Sequence, residues 1–389
     1  MLLPPNFNET PPEDRNAVAK VWMKRGIALL SANEAAALPE ALHCFEQALA
    51  IRRELPFEES SWFRWLLTAC WMNRGDVLTR LGKPDDLIAA EQSFDEAIFH
   101  LEKLPLEEDS QYRGRLALAW MNRSLALRAQ ATPESLHAAL LSLDHGKTVI
   151  EESVAAKLPV STALLPTLLI NRAALLLEIA PPRMLEAMVV AEEALTLCQP
   201  TEHLNLQAAE VGLKARHIFC HAVAMLLETP PVDTSRADDW IMQATDKVDE
   251  AMRLTASWES EREAGPFHAL RHELFRYGCN LLLAYQPHFL AEFLLDVLDP
   301  ENCSPLLTQD AELYRAGLES LHLAAAELRR RGPLDLGLHG MDRLIVMLAS
   351  LSQAAERINC VAHKEWHKPA PPSNSTPLLS IDDQRQIQN

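Results

Sequence analysis

The feature that most constrains this chain is a repetition at 49 residues. Asn73 in "ACWMNRG" and Asn122 in "LAWMNRS" stand one period apart, a step back falls on Lys24 in "VWMKRG", and steps forward fall on Asn171 in "LLINRA" and Cys220 in "IFCHA". Five segments in one register point to a stack of similar units, each completing its core against a neighbour, rather than to a closed globule.

Composition narrows the kind of unit. The 389 residues are 48% hydrophobic with only 12 glycines, enough apolar material for a large core but without the glycine punctuation of phosphate-binding α/β folds, so an all-α protein is expected. A net charge of -18 opposes nucleic acid, whose phosphates it would repel, and favours a soluble surface. The seven cysteines are scattered, form no C-x-x-C pair and often fall in apolar runs, as packed, reduced thiols do. The opening "MLLPPNFNETPPEDR" is too proline-rich for a secretion signal, and no apolar run is long enough to cross a membrane. A cytoplasmic protein with no membrane partner is therefore expected. Residues 1–14 and 369–389 are polar and proline-rich, and are expected to be disordered.

Within each unit apolar residues recur at helical spacing, as at Val18, Trp22 and Leu29, then Leu42, Phe45 and Leu49. The stretches "ELPFEES", "KLPLEEDS" and "KLPVST" supply a proline to stop one helix and a Ser, Thr or Asp to cap the next. Each unit reads as a helical hairpin. Its first helix carries a bulky residue (Trp22, Trp71, Trp120, Leu169, Ile218) and, four later, a small one (Gly26, Gly75, Ser124, Ala173, Ala222). Its second helix carries Ala41, Phe45, Ala48; Ala90, Phe94, Ala97; Ala139, Leu143, Gly146; and, more weakly, Ala187, Ala191, Ala194 and Ala244, Val248, Ala251. Small residues let helix axes approach while large ones fill the space opposite.

This pattern resembles the tetratricopeptide repeat (TPR). The resemblance covers residues 15–258 as five hairpins and implies a right-handed α-solenoid of antiparallel helix pairs. The period is longer than the family's usual one, with insertions such as "SANEAAALPE" accounting for the difference. Beyond this, residues 259–368 read as divergent helical hairpins capping the stack, with Gly278 and Gly317 at small first-helix positions.

The resemblance further implies that the residue before each Asn faces a concave groove, which places Met23, Met72, Met121, Ile170 and Phe219 on an apolar floor, with isolated charges at Lys20, Asp76 and Arg216. Asn73, Asn122 and Asn171 each offer a donor and an acceptor. They suit either the backbone of a partner peptide lying in the groove or a bridge between neighbouring helices. Arg25, Arg74, Arg123 and Arg172 lie close to the apolar stripe and require acidic partners. Each hairpin supplies one just after the Phe position, at Glu46, Asp95, Asp144, Glu192 and Asp249, so an Arg to carboxylate ladder inside the units is expected, with an anion-binding stripe as the alternative. Arg15, Arg64 and Arg113 form a second arginine series, expected to be solvated.

Three H-x3-H pairs occur: His217 with His221, His268 with His272 beside Glu273, and His363 with His367. Spacing of four puts both rings on one helix face, as a metal site needs, and a helical metalloprotein is the less favoured reading; no metal or cofactor is assigned. "HGKT" at 145–148 lacks the first glycine of a phosphate loop and falls inside a helix, and no nucleophile or zinc-protease signature is present. The reading is an adaptor or scaffold that binds a peptide or helix of a partner protein without catalysis, the alternative being a peptide-responsive regulator. Neither the partner nor the oligomeric state is legible in the residues.

Overall fold

The computed structural model describes residues 10–32, 34–158, 162–229, 234–257, 267–298, 310–332 and 340–365. Among these there is no strand; the chain is all-α. It divides into two compact units, residues 1–182 and 183–389. Of the stretches expected to be unstructured, 1–14 and 369–389, residues 1–9 and 369–389 lie outside the described residues, whereas the first helix already begins at Pro12.

Unit 1 contains α1 (Pro12–Ser31), α2 (Leu38–Arg53), α3 (Ser61–Leu81), α4 (Pro84–Leu101), α5 (Ser110–Gln130), α6 (Pro133–Ala155) and α7 (Leu165–Glu178). Each packs on the next in antiparallel hairpins, and the first helices α3 and α5 also touch, the neighbour-to-neighbour order of a solenoid. The helix boundaries repeat with the sequence. Ser60 caps α3 by accepting from Phe63 N, and Asp109, one period later, caps α5 by accepting from Gln111 N. Pro84 and Pro133 open α4 and α6. At the intervening turns Gly82 (φ 70°) and Ala131 (φ 57°) both take the left-handed conformation, which costs glycine little and alanine more.

The paired small and large residues interlock as the spacing requires. A Cβ on Gly26 would lie 2.6 Å from the Phe45 ring, and one on Gly75 would lie 2.7 Å from that of Phe94. Both phenylalanines are fully buried, so close approach of the helices and filling of the core are one feature.

Unit 2 contains α8 (Met184–Cys198), α9 (Leu206–Glu228), α10 (Thr234–Ser257), α11 (His268–Tyr285), α12 (Leu290–Leu298), α13 (Ala311–Arg331) and α14 (Gly340–Glu365). The same device appears without the period: Gly278 of α11 lies under Phe293 of α12 and Gly317 of α13 under Leu298, each at 2.7 Å from a would-be Cβ. Phe293 lacks the flanking alanines of the second-helix signature. None of the described helices is long and apolar enough to cross a membrane.

Candidate functional site

The eight residues assigned to an open groove are all interior, from 2% exposed at Ile170 and Phe219 to 8% at Asn73. Asn73 Nδ2 donates to Ala69 O of its own helix at 2.7 Å, and Met23 Sδ lies 3.5 Å from Cys70 Sγ on α3. This face of the first helices therefore packs inside the unit, and the groove expectation for Met23, Met72, Asn73, Met121, Asn122, Ile170, Asn171 and Phe219 is corrected. The "isolated" charges differ too. Lys20 is exposed, but Asp76 is buried against Arg80 at 3.4 Å, and burial raises its pKa to about 6. Arg216 is buried in a two-point pair with Glu202, at 2.9 and 3.0 Å, and reaches Glu250 at 3.2 Å.

The arginine ladder exists with a different connectivity. Arg74 meets Glu46 at 3.5 Å, Arg123 meets Asp95 at 2.6 Å and Glu91 at 3.0 Å, and Arg172 meets Asp144 at 2.7 Å. Each acid belongs to the preceding hairpin, so the pairs join hairpins instead of closing them. Within its own hairpin the guanidinium donates to a serine, Ser93 for Arg74 at 2.6 Å and Ser142 for Arg123 at 2.8 Å. Arg25 has no described hairpin before it and turns to Glu40 of its own, out in solvent. In unit 2, Glu192 is taken by Lys247 at 2.6 Å and Asp249 by Arg253.

The second arginine series is not solvated. Arg64 and Arg113 are buried and Arg15 is half-buried. Arg64 binds Glu58 at 2.9 Å and lies 3.5 Å from His100 Nδ1; burial, then the Arg64 charge, hold the His100 pKa down to about 4. Sequence reasoning also missed a cluster on the first helices. The Arg115 guanidinium of α5 stacks 3.7 Å over Trp65 of α3, and Tyr112 lies 5.1 Å from the same indole. Trp65 and Tyr112 are half-exposed, and Trp62, one turn before Trp65, is exposed. No acidic residue lies within ion-pair distance of Arg115 among the described residues, and burial together with the Arg52 charge brings its pKa down to about 10. Trp65 and Arg115 occupy different register positions, so the period carries no signal for them.

In unit 2 the histidine pairs part company. His217 Nε2 lies 3.1 Å from Glu273 Oε2, with Tyr277 against both His217 and His221. His268 and His272 turn instead to Asp310, the N-cap of α13, whose Oδ2 is 2.8 Å from His272 Nε2 and also receives Arg271. Burial raises the Asp310 pKa, but His272, Arg271 and His268 outweigh it and hold the carboxyl at about 2. The side chains of His363 and His367 lie outside the described residues.

No protein-family model matches the chain, and no curated protein does. Among solved structures it is similar to one described as "Circular tandem repeat protein with novel repeat topology and enhanced subunit contact surfaces", at 13% identity and a TM-score of 0.33, over 92% of this chain and 87% of that one, which falls short of a common fold. The helices and their register themselves make this a helical-repeat protein.

Proposed function

We propose that the chain is a protein-interaction scaffold of tetratricopeptide type, cytoplasmic and without catalysis of its own, which holds an acidic peptide or helix of a partner against the first helices of unit 1. The supporting observation is the Trp65, Tyr112 and Arg115 cluster. Trp, Tyr and Arg are the residue types that dominate binding energy at interfaces. Here two rings are half-exposed, and among the described residues no acid pairs with the guanidinium above one of them. A carboxylate from a partner would supply an opposite charge and offset the burial that now lowers the arginine's pKa.

The test compares proteins co-purified from the native cell by the parent with those retained by Arg115→Ala and Trp65→Ala, followed by titration of the recovered partner. A loss of about tenfold or more in affinity, worth about 1.4 kcal/mol, with little change in melting temperature is expected. Equal affinity in both variants would move the interaction away from this cluster.

A further inference from the structure

We infer that unit 2 carries a divalent-metal site made by His268, His272 and Asp310, suited to zinc-class ions. It is independent of the interaction surface proposed in unit 1. The two histidines stand one turn apart on α11 with their rings stacked, centroids 4.2 Å apart. Asp310, 38 residues after His272, is delivered to them by the start of α13. Asp310 Oδ2 is 2.8 Å from His272 Nε2 and 3.7 Å from His268 Nε2, and one ligand atom from each residue falls within 4.8 Å of the others. Ligands at zinc bond lengths of roughly 2.0–2.2 Å and tetrahedral angles are about 3.3 Å apart, so only small side-chain rotations close the site.

The donor set is chemically specific. Two imidazoles and one carboxylate suit zinc and its first-row neighbours, whereas magnesium and calcium prefer oxygen alone. Three protein ligands leave a fourth position open to water or another ligand. His268 is more than half-exposed while His272 and Asp310 are buried, so the ion has an entry route from solvent and two fixed ligands behind it.

The surroundings have the form of an outer ligand shell. His272 Nδ1 lies 3.9 Å from Glu312 Oε1, and Arg276 meets that same oxygen at 3.2 Å. Ligation needs the Nε2 lone pair, which leaves Nδ1 as the ring's donor position, facing Glu312. Arg271 already donates to Asp310 Oδ2 and remains as a hydrogen bond to the ligating carboxylate, while Leu313 N holds Oδ1 at 3.3 Å.

The experiment uses full-length protein stripped with a chelator and titrated calorimetrically with Zn2+ and, separately, Mg2+. The variant that carries the test is His268→Ala, since its exposed side chain can be removed without opening the core; circular dichroism and a metal-free melt matching the parent establish that it folds. The parent is expected to bind one equivalent of Zn2+ more than the variant, or to bind it at least about tenfold more tightly, and to prefer Zn2+ to Mg2+. Saturating Zn2+ should raise the melting temperature of the parent but not of the variant. His217→Ala, at the neighbouring pair, should leave the binding unchanged. Equal Zn2+ binding by parent and His268→Ala, no binding by the parent, or equal affinity for Mg2+ would each overturn the assignment.

Discussion

The two units manage charge in opposite ways. In unit 1 the period is strict, and its repeated ion pairs are close copies of one another. The exposures of guanidinium and acid are 18% and 52% in Arg123 with Asp95, and 19% and 48% in Arg172 with Asp144. In unit 2 the register loosens, and the strongest polar groupings occur once each and are buried: Arg216 with Glu202, and Arg271 and His272 with Asp310. The difference has a physical origin. A contact repeated by translation has to fit every hairpin interface and therefore tolerates water, whereas a buried pair needs complete partners at one particular place.

The largest effect that sharpens this contrast is expected from Arg216→Ala. It leaves Glu202 buried without its partner, and a loss of about 3 to 5 kcal/mol should appear in chemical denaturation; a loss below about 1 kcal/mol would show that the two units treat charge alike.

Next comes Gly75→Ala, which drives a methyl to within 2.7 Å of the Phe94 ring and should cost about 1 to 3 kcal/mol. Its comparison is Gly114→Ala, where a Cβ meets nothing within 4 Å; there a gain of about 0.5 to 1 kcal/mol from helix propensity is expected. Equal effects at the two glycines would remove the interlocking argument from unit 1.

Asp76, inside the periodic half, is a buried acid where the register elsewhere has Ile27 and Leu125. Its folded pKa of about 6 stands above the ordinary 3.8. Its contribution to stability is therefore fully present below pH 3.8 and lost as pH rises through about 6. Asp76→Asn should stabilise the protein at pH 7 by about 1 to 3 kcal/mol and should flatten its stability profile between about pH 4 and 6, measured by urea denaturation across that range. A parallel profile in parent and variant would count against a buried, protonating Asp76.

The smallest effect tests the ladder's connectivity. A double-mutant cycle on Arg123 and Asp95 should give a coupling of about 0.2 to 1 kcal/mol, and one on Arg123 and Asp144 should give none. Coupling to Asp144 instead would restore closure within the hairpin.

These residues also show which parts of the molecule could be read from its sequence. The small and large packing positions were legible because sterics act within one hairpin, and a period reports such contacts directly: Gly26 over Phe45, Gly75 over Phe94. Three of the ladder's arginines, Arg74, Arg123 and Arg172, were legible, but their pairing was not, and Arg25, Glu192 and Asp249 pair elsewhere. For Arg123, the acid that follows in its own hairpin, Asp144, and the acid that precedes it in the previous hairpin, Asp95, occupy the same repeat position, and periodicity alone cannot separate them. The Met and Asn series failed for a related reason. A helical wheel gives the direction a side chain takes from its own axis, but whether that direction meets solvent or the next first helix depends on the crossing geometry. The contacts of His272 with Asp310 and of Trp65 with Arg115 carried no such signal, because neither pair of residue types recurs one period along the chain.

The pairing of each arginine with the hairpin before it has a consequence for how such a chain can change its length. A segment of one full period inserted between Asp95 and Arg123, carrying its own arginine and its own acid in the same register, would meet Asp95 with its arginine and offer its acid to Arg123. Every guanidinium would still face a carboxylate, and the number of unmatched ends would not grow. A segment of half that length would separate an arginine from its acid and place an apolar face where the next hairpin should begin. The ladder thus makes whole hairpins the natural quantum of growth: duplication of one block leaves the charge pattern intact, while a partial duplication exposes its error at once as a loss of folding.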